Sequence, residues 1–187
     1  ENNNVDSWFI ESCKKIKYLF PKAHAVAYVV MAFRIAYFKV HYPEAFYATY
    51  FTVRVDDFDA ELILQGPKQI KETMVEIEKK DKEASTKEKN LLTVLEVANE
   101  MYMRGIQFVP IDLYKSDVQR FKITRDGILP PLSALQGLGI TAAQNITKER
   151  EKGSFTSIED LKQRTKITKN VVQIMRRNGI INNLQET

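Results

Sequence analysis

Cysteine is almost missing from this 187-residue chain: Cys13 stands alone, so no disulfide can close within it and a reducing, cytoplasmic compartment is the expectation. Histidine occurs only at positions 24 and 41, and with Cys13 these are too few and too scattered for a zinc ligand set. The first residues, with Asn2 to Asn4, do not resemble a secretory leader, which needs a basic end and an apolar run. In the most apolar part of the sequence, the run free of strongly polar groups goes only from Ala25 to Phe33, against the ~20 residues that cross a bilayer. A soluble core helix and no membrane partner are therefore expected.

What remains is the make-up of a globular protein, 44% hydrophobic, with a length that allows one domain or two. The net charge of +4 is unevenly placed. From Ser116 onward there are twelve Lys or Arg against seven Asp or Glu, whereas the first 115 residues are nearly balanced. A basic C-terminal third favours a polyanionic partner such as nucleic acid.

The chain is organised around Phe20 to Pro43, FPKAHAVAYVVMAFRIAYFKVHYP. Tyr28, Met31, Ile35, Phe38 and Tyr42 recur at helical spacing, Pro21 suits a helix start and Pro43 a helix end, which predicts one long, mostly buried helix. Lys22 and His24 fall in its first turn, where orphan N–H groups and the helix dipole favour an anion such as phosphate. Ala23 and Ala27 line up with Arg34, so a closely approachable strip leads to a fixed positive charge. A solvated Lys22, a half-buried His24 and a snorkelling Arg34 explain the same residues without any ligand, and both readings stay open.

Ahead of this helix, Asp6 suits an N-cap for a helix over Val5 to Leu19, with Trp8, Ile16 and Leu19 as apolar contacts. Glu44 to Val55 reads as a further helix with Phe46, Tyr50 and Val53 on one face. The acidic Asp56, Asp57 and Asp59 tempt a metal reading but precede Glu61 to Leu64 as a helix cap would. Pro67 to Lys82 is one-sided, with Ile70, Met74 and Ile77 inward. Ser85 and Glu88 form a capping box for a helix whose Leu91, Leu95, Ala98 and Met101 stripe ends at Gly105. Phe108 to Leu113 and Asp117 to Ile123 read as short strands, and Asp126-Gly127 as the turn into Ile128-Leu129, giving a small β-hairpin.

The second informative stretch is Leu132 to Gly153. A short helix from Ser133, a turn at Gln136-Gly137-Leu138-Gly139-Ile140, and a helix opened by Thr141 with Gln144 as capping box make a helix-hairpin-helix. Its glycines admit unusual backbone angles and close approach, and the N–H groups at the turn form a nest for phosphate. Lys148, Arg150 and Lys152 flank it. Thr156 and Glu159 cap the next helix, Lys166-Ile167-Thr168 turns, and Lys169 to Asn178 completes a second, glycine-free hairpin. Such a module holds duplex backbone without reading bases. The rival dinucleotide fingerprint, Gly137-x-Gly139-x-x-Ala142 with Asp160 beyond, lacks its preceding strand because Pro130-Pro131 occupies that place.

Ile10-Glu11-Ser12-Cys13-Lys14-Lys15-Ile16-Lys17, FPKAHA at Phe20 to Ala25, RIAYFKVHYP at Arg34 to Pro43, Leu91 to Val97 and the Gly137-Leu138-Gly139 turn together resemble the C-terminal part of PolC-type bacterial replicative DNA polymerase III alpha subunits, which are C-family polymerases. The resemblance implies a mostly α fold: helical fingers over 1–115, then a small β-hairpin and a tandem helix-hairpin-helix region over 116–187. It implies that Lys22, His24 and Arg34 serve the incoming deoxynucleoside triphosphate, and that Gly137, Leu138, Gly139, Lys148, Arg150 and Lys152 serve duplex DNA. The family's catalytic aspartates and their Mg²⁺ lie in a palm that precedes these fingers, so no cofactor and no polymerisation are expected of this chain alone. The family's usual sliding-clamp motif is not found at Gln185-Glu186-Thr187. A non-enzymatic, sequence-independent DNA-binding module or scaffold is the competing class.

Overall fold

In a computed structural model, which describes residues 5–15 and 21–187, contacts divide the chain into two units, Glu1–His41 and Tyr42–Thr187. The expected contacts of Ile16 and Leu19 and the Phe20 end of the long helix lie outside the described residues.

The first unit holds α1 (Ser7–Lys15) and α2 (Lys22–His41). Asp6 receives the Phe9 and Ile10 N–H groups on its carbonyl and the Trp8 indole N–H on its carboxylate. The long helix forms as the sequence predicts, but the expectation that it is buried is not met: no α2 side chain is buried, and Phe33 is 72% exposed. The physical reason is composition. Apolar residues run all round α2, and among the described residues of its unit only α1 accompanies it, which likewise buries nothing. By length and composition α2 also meets what a bilayer-crossing helix needs, which the count from Ala25 to Phe33 had excluded.

The second unit carries the core. Tyr47, Ala48 and Phe51 are the buried face of α3 (Pro43–Val53), which starts on Pro43, where a missing N–H costs nothing. Phe51, Phe58, Phe108 and Phe121 pack edge-on or tilted within 4.9–6.1 Å of one another. Asp59 caps the short α4 (Ala60–Ile63) by accepting the Leu62 N–H, while Asp57 takes Arg54 and Asn90. The acidic cluster thus resolves into a cap and side-chain ties. Antiparallel neighbours α5 (Pro67–Lys79) and α6 (Thr86–Met103) follow, α5 burying Ile70 and Ile77 and α6 burying Val94, Leu95, Ala98 and Met101. The Ser85–Glu88 capping box is present, and Gly105, at φ +78°, stops α6 with the Ile106 N–H turned back to the Met101 carbonyl.

Of the expected strands only the hairpin forms: β1 (Lys122–Thr124) against β2 (Gly127–Leu129) through the Arg125-Asp126 turn. Phe108 adds one parallel rung beside Ile128, and the rest of 109–121 is held instead by Asp112 and Asp117, whose carboxylates accept backbone N–H groups two and three residues on. The last three helices are α7 (Ile140–Arg150), α8 (Ile158–Thr165) and α9 (Lys169–Arg177). One hydrophobic core runs from Tyr47 to Ile181, so contacts do not part the chain at 115/116.

Candidate nucleic-acid interface

The turn before α7 is built by three residues with different jobs. Gly137 sits at φ +88°, which favours glycine, and a Cβ there would meet only the tip of the Ile174 side chain, Cδ1 at 2.7 Å, which can shift aside. Leu138, 2% exposed, plugs its side chain into the core, so the DNA contact expected of this turn is left to backbone groups. Gly139 is the N-cap of α7 in ordinary extended geometry, φ −67°, with nothing within 4 Å of where a Cβ would stand. The expected unusual angle therefore holds for Gly137 and not for Gly139, whose lack of a side chain leaves open space in front of the helix.

That open space matters because of what is not there. No side chain caps α7, so the Thr141–Gln144 capping box expected from sequence does not form. At α8 the situation is the reverse: Ser157 accepts the Asp160 N–H, and the Gln185 and Glu186 carbonyls accept the Ile158 and Glu159 N–H groups. Thr168 accepts the Val171 N–H at α9. Of the three helices, only α7 presents a start without a side-chain cap, with its dipole's positive end outward.

The second hairpin repeats the first in outline. Lys166 takes the left-handed conformation, φ +57°, that Gly137 has; Ile167 is buried as Leu138 is; Thr168 stands where Gly139 does. The two hairpins are joined by Arg164, whose guanidinium donates to the Ser154, Glu149 and Gly153 carbonyls and to Asp160, and lies 4.5 Å from the Phe155 ring centre. Sequence reasoning missed this residue. It also placed the α8 cap one position early, because Thr156–Glu159 and Ser157–Asp160 are equally good patterns and only the returning tail distinguishes them.

The basic side chains separate. Lys148 is exposed in the last turn of α7, at the far end of the helix from the glycine turn, whereas Lys152 is paired with Glu149, whose carboxyl it holds below the usual range. Arg150 is half-buried and donates to the Leu113 carbonyl at 2.8 Å, and burial pulls its pKa down against the fields of Asp117 and Asp112. It ties α7 to the preceding loop.

On α2, Lys22, His24 and Arg34 are all exposed, with the His24 and Tyr28 rings 4.5 Å apart edge to face. Twelve residues place Arg34 about 18 Å along the axis from Lys22 and about 120° round it. The three are not one cluster. Among the described residues no group of three or more His, Cys, Asp or Glu stands where a metal ion could be held.

A family model described as "Helix-hairpin-helix motif" matches residues 105–187. Across the whole chain, 59% of residues are identical to the "DNA polymerase III PolC-type" of Caldanaerobacter subterraneus subsp. tengcongensis. The chain is homologous to a segment of PolC-type DNA polymerase III. The PolC-type enzyme of Clostridium perfringens is 55% identical over 98% of the chain, and that of Bacillus subtilis 52% over all of it. The chain spans about 13% of the length of each of these PolC-type relatives. The Gly137 hairpin lies inside the region matched by the motif model, and α2 lies outside it.

Proposed function

We propose that this chain is a part of a replicative DNA-directed DNA polymerase, in which residues 116–187 hold the duplex backbone and residues 1–115 belong to the fingers that close on the incoming nucleotide. The observation that carries the reading is the match over the full chain to PolC-type enzymes at 52–59% identity. The uncapped start of α7 supports the site, and Lys148, exposed in the last turn of the same helix, adds positive charge to the module. Backbone N–H groups there meet a phosphate without contacting bases, as an enzyme that copies every sequence requires.

On the fingers side, Lys22 and His24 at the start of α2 combine fixed charge with helix N–H donors and suit a triphosphate held in line for attack. Arg34, too far along to touch the same phosphates, supports the neighbouring surface. Metal chemistry is left to residues outside this chain, which alone is inactive in nucleotide transfer. The sliding clamp is a partner of the intact enzyme, and the nucleoid its cytoplasmic location.

The test is duplex-DNA binding across a salt series by the wild type and Gly139→Asp. The wild type should show a log–log slope worth several phosphates, ~0.9 per contact. An aspartate at the N-cap closes the open N–H groups and repels phosphate, so affinity should fall at least tenfold while thermal stability holds or rises slightly. Equal binding by both proteins would discard the hairpin contact. In the intact enzyme, Lys22→Ala or His24→Ala should raise the KM for nucleotide or lower kcat, and unchanged kinetics would leave α2 as scaffold.

A further inference from the structure

The two hairpins contact each other reciprocally. Asn145 and Ile174 are each the sixth residue of their helix, α7 and α9. Asn145 donates to the Thr165 carbonyl beside the second turn, and the Ile174 side chain lies against Gly137 in the first. The turns thus occupy equivalent places, but they carry different chemistry. Lys166 stands where the first turn has Gly137, and Lys169 opens α9 where Ile140 opens α7. Thr168 already takes the Val171 N–H, so the second turn offers less open backbone and two exposed ammonium groups instead. Glu149, Glu159 and Asp160 pair with Lys152, Lys162 and Arg164, and among the described residues neither Lys166 nor Lys169 joins an ion pair.

Both lysines sit where local structure favours another residue. Lys166 is at φ +57°, a conformation that glycine holds without strain and a lysine does not. Lys169 begins α9, where the positive end of the helix dipole favours a carboxylate; α8 has Glu159 and Asp160 in its first turn, and α9 has no acidic residue there. Local rules are broken at functional sites, where a ligand compensates. Two adjacent free cations gain from an anion, and in a module whose other turn meets duplex backbone that anion is a backbone phosphate. We infer that Lys166 and Lys169 form a second phosphate contact, made by side chains, and that it carries much of the salt dependence of duplex binding. The inference rests on the duplex-holding reading proposed above. Lysines that neutralise phosphates release counterions and so set the salt slope, whereas the neutral N–H groups at the α7 start add affinity with little slope. The glycine-free second turn is then a change of contact chemistry within a shared shape.

The test measures duplex-DNA binding across a salt series by the wild-type chain and by the double variant Lys166→Gly, Lys169→Gln. Glycine suits the left-handed position and glutamine relieves the helix start, so the thermal midpoint should hold or rise. The log–log slope should fall by roughly one to two, at ~0.9 per contact, and affinity at about 100 mM salt should fall around tenfold. Lys169→Gln alone, which leaves the turn untouched, should give about half of the change in slope. Lys68→Gln with Lys71→Gln removes the same charge from exposed positions on α5 and should leave binding near that of the wild type. Gly139→Asp, measured alongside, tests the first turn separately. A slope unchanged in the double variant while Gly139→Asp binds weakly would overturn the inference and leave the duplex reading standing. So would an effect no larger than that of the α5 control, which would assign it to net charge. A wild type that binds no duplex even at low salt would remove both the inference and the reading beneath it.

Discussion

At the scale of single residues, Gly137 and Gly139 read alike in the sequence and behave differently in the fold. Gly137→Ala forces a side chain into a positive φ and against Ile174, and should cost about 1–2 kcal/mol, read as a lowered urea midpoint. Gly139→Ser should leave the midpoint unchanged or raised, because the position is an open N-cap. Equal losses would mean the turn is held differently. Local pattern could not separate the two glycines, since what decides is the backbone angle each takes in the folded turn, φ +88° at Gly137 and −67° at Gly139. The partner of Arg150 is distant in sequence: it is the Leu113 carbonyl, which no spacing rule points to. Arg164, not singled out at all, holds the joint between the two hairpins. Arg164→Lys keeps the charge but loses the planar fork that reaches several carbonyls at once, and should cost about 1–3 kcal/mol by thermal or urea unfolding. A loss below 0.5 kcal/mol on the order expected of a surface site would assign it no such role.

Elements whose ends are written in their own few residues were legible. The start of α6 is one: Ser85 and Glu88 exchange hydrogen bonds, and Lys80 joins them, its bond holding the Glu88 carboxyl down at about 2. Because the folded-state value lies below the unfolded one, the ionised carboxylate stabilises fully above the ordinary carboxylate range, and that contribution is lost as pH falls toward 2. Glu88→Gln should therefore be less stable than the wild type at pH 7 and lose less on acidification to pH 3, a difference that a Tm series would display. Identical pH dependence in the two proteins would remove Glu88 from the account. Ser85→Ala should cost about 1 kcal/mol at any of these pH values. Elements whose ends depend on distant chain were not legible. The start of α8 is set by the returning Gln185 and Glu186 carbonyls, and the expected strand over 109–113 gave way to carboxylate-held turns.

At the scale of the molecule, function and contact divide the chain in different places. The expected line between fingers and duplex-binding region, at 115/116, runs through a single core: Phe51 and Phe58 pack on Phe121, Thr52 Oγ accepts the Phe121 N–H, Gln136 donates to the Phe58 carbonyl, and Arg177 and Asn178 both donate to Glu61. The resemblance put the line at 116 and the change in charge agreed with it, but charge lies on surfaces, whereas packing units are set by buried contacts. Phe51→Leu removes part of an aromatic cluster contributed from both sides of that line, and should cost about 1–3 kcal/mol. If Tyr42–Thr187 opens as one unit, native-state hydrogen exchange should show the slowest amides of α6 and of α7 losing protection by the same amount in this variant. Loss confined to α6, with α7 to α9 unchanged, would instead make residues 116–187 a separately folding module, and would return the boundary to the place where the charge changes.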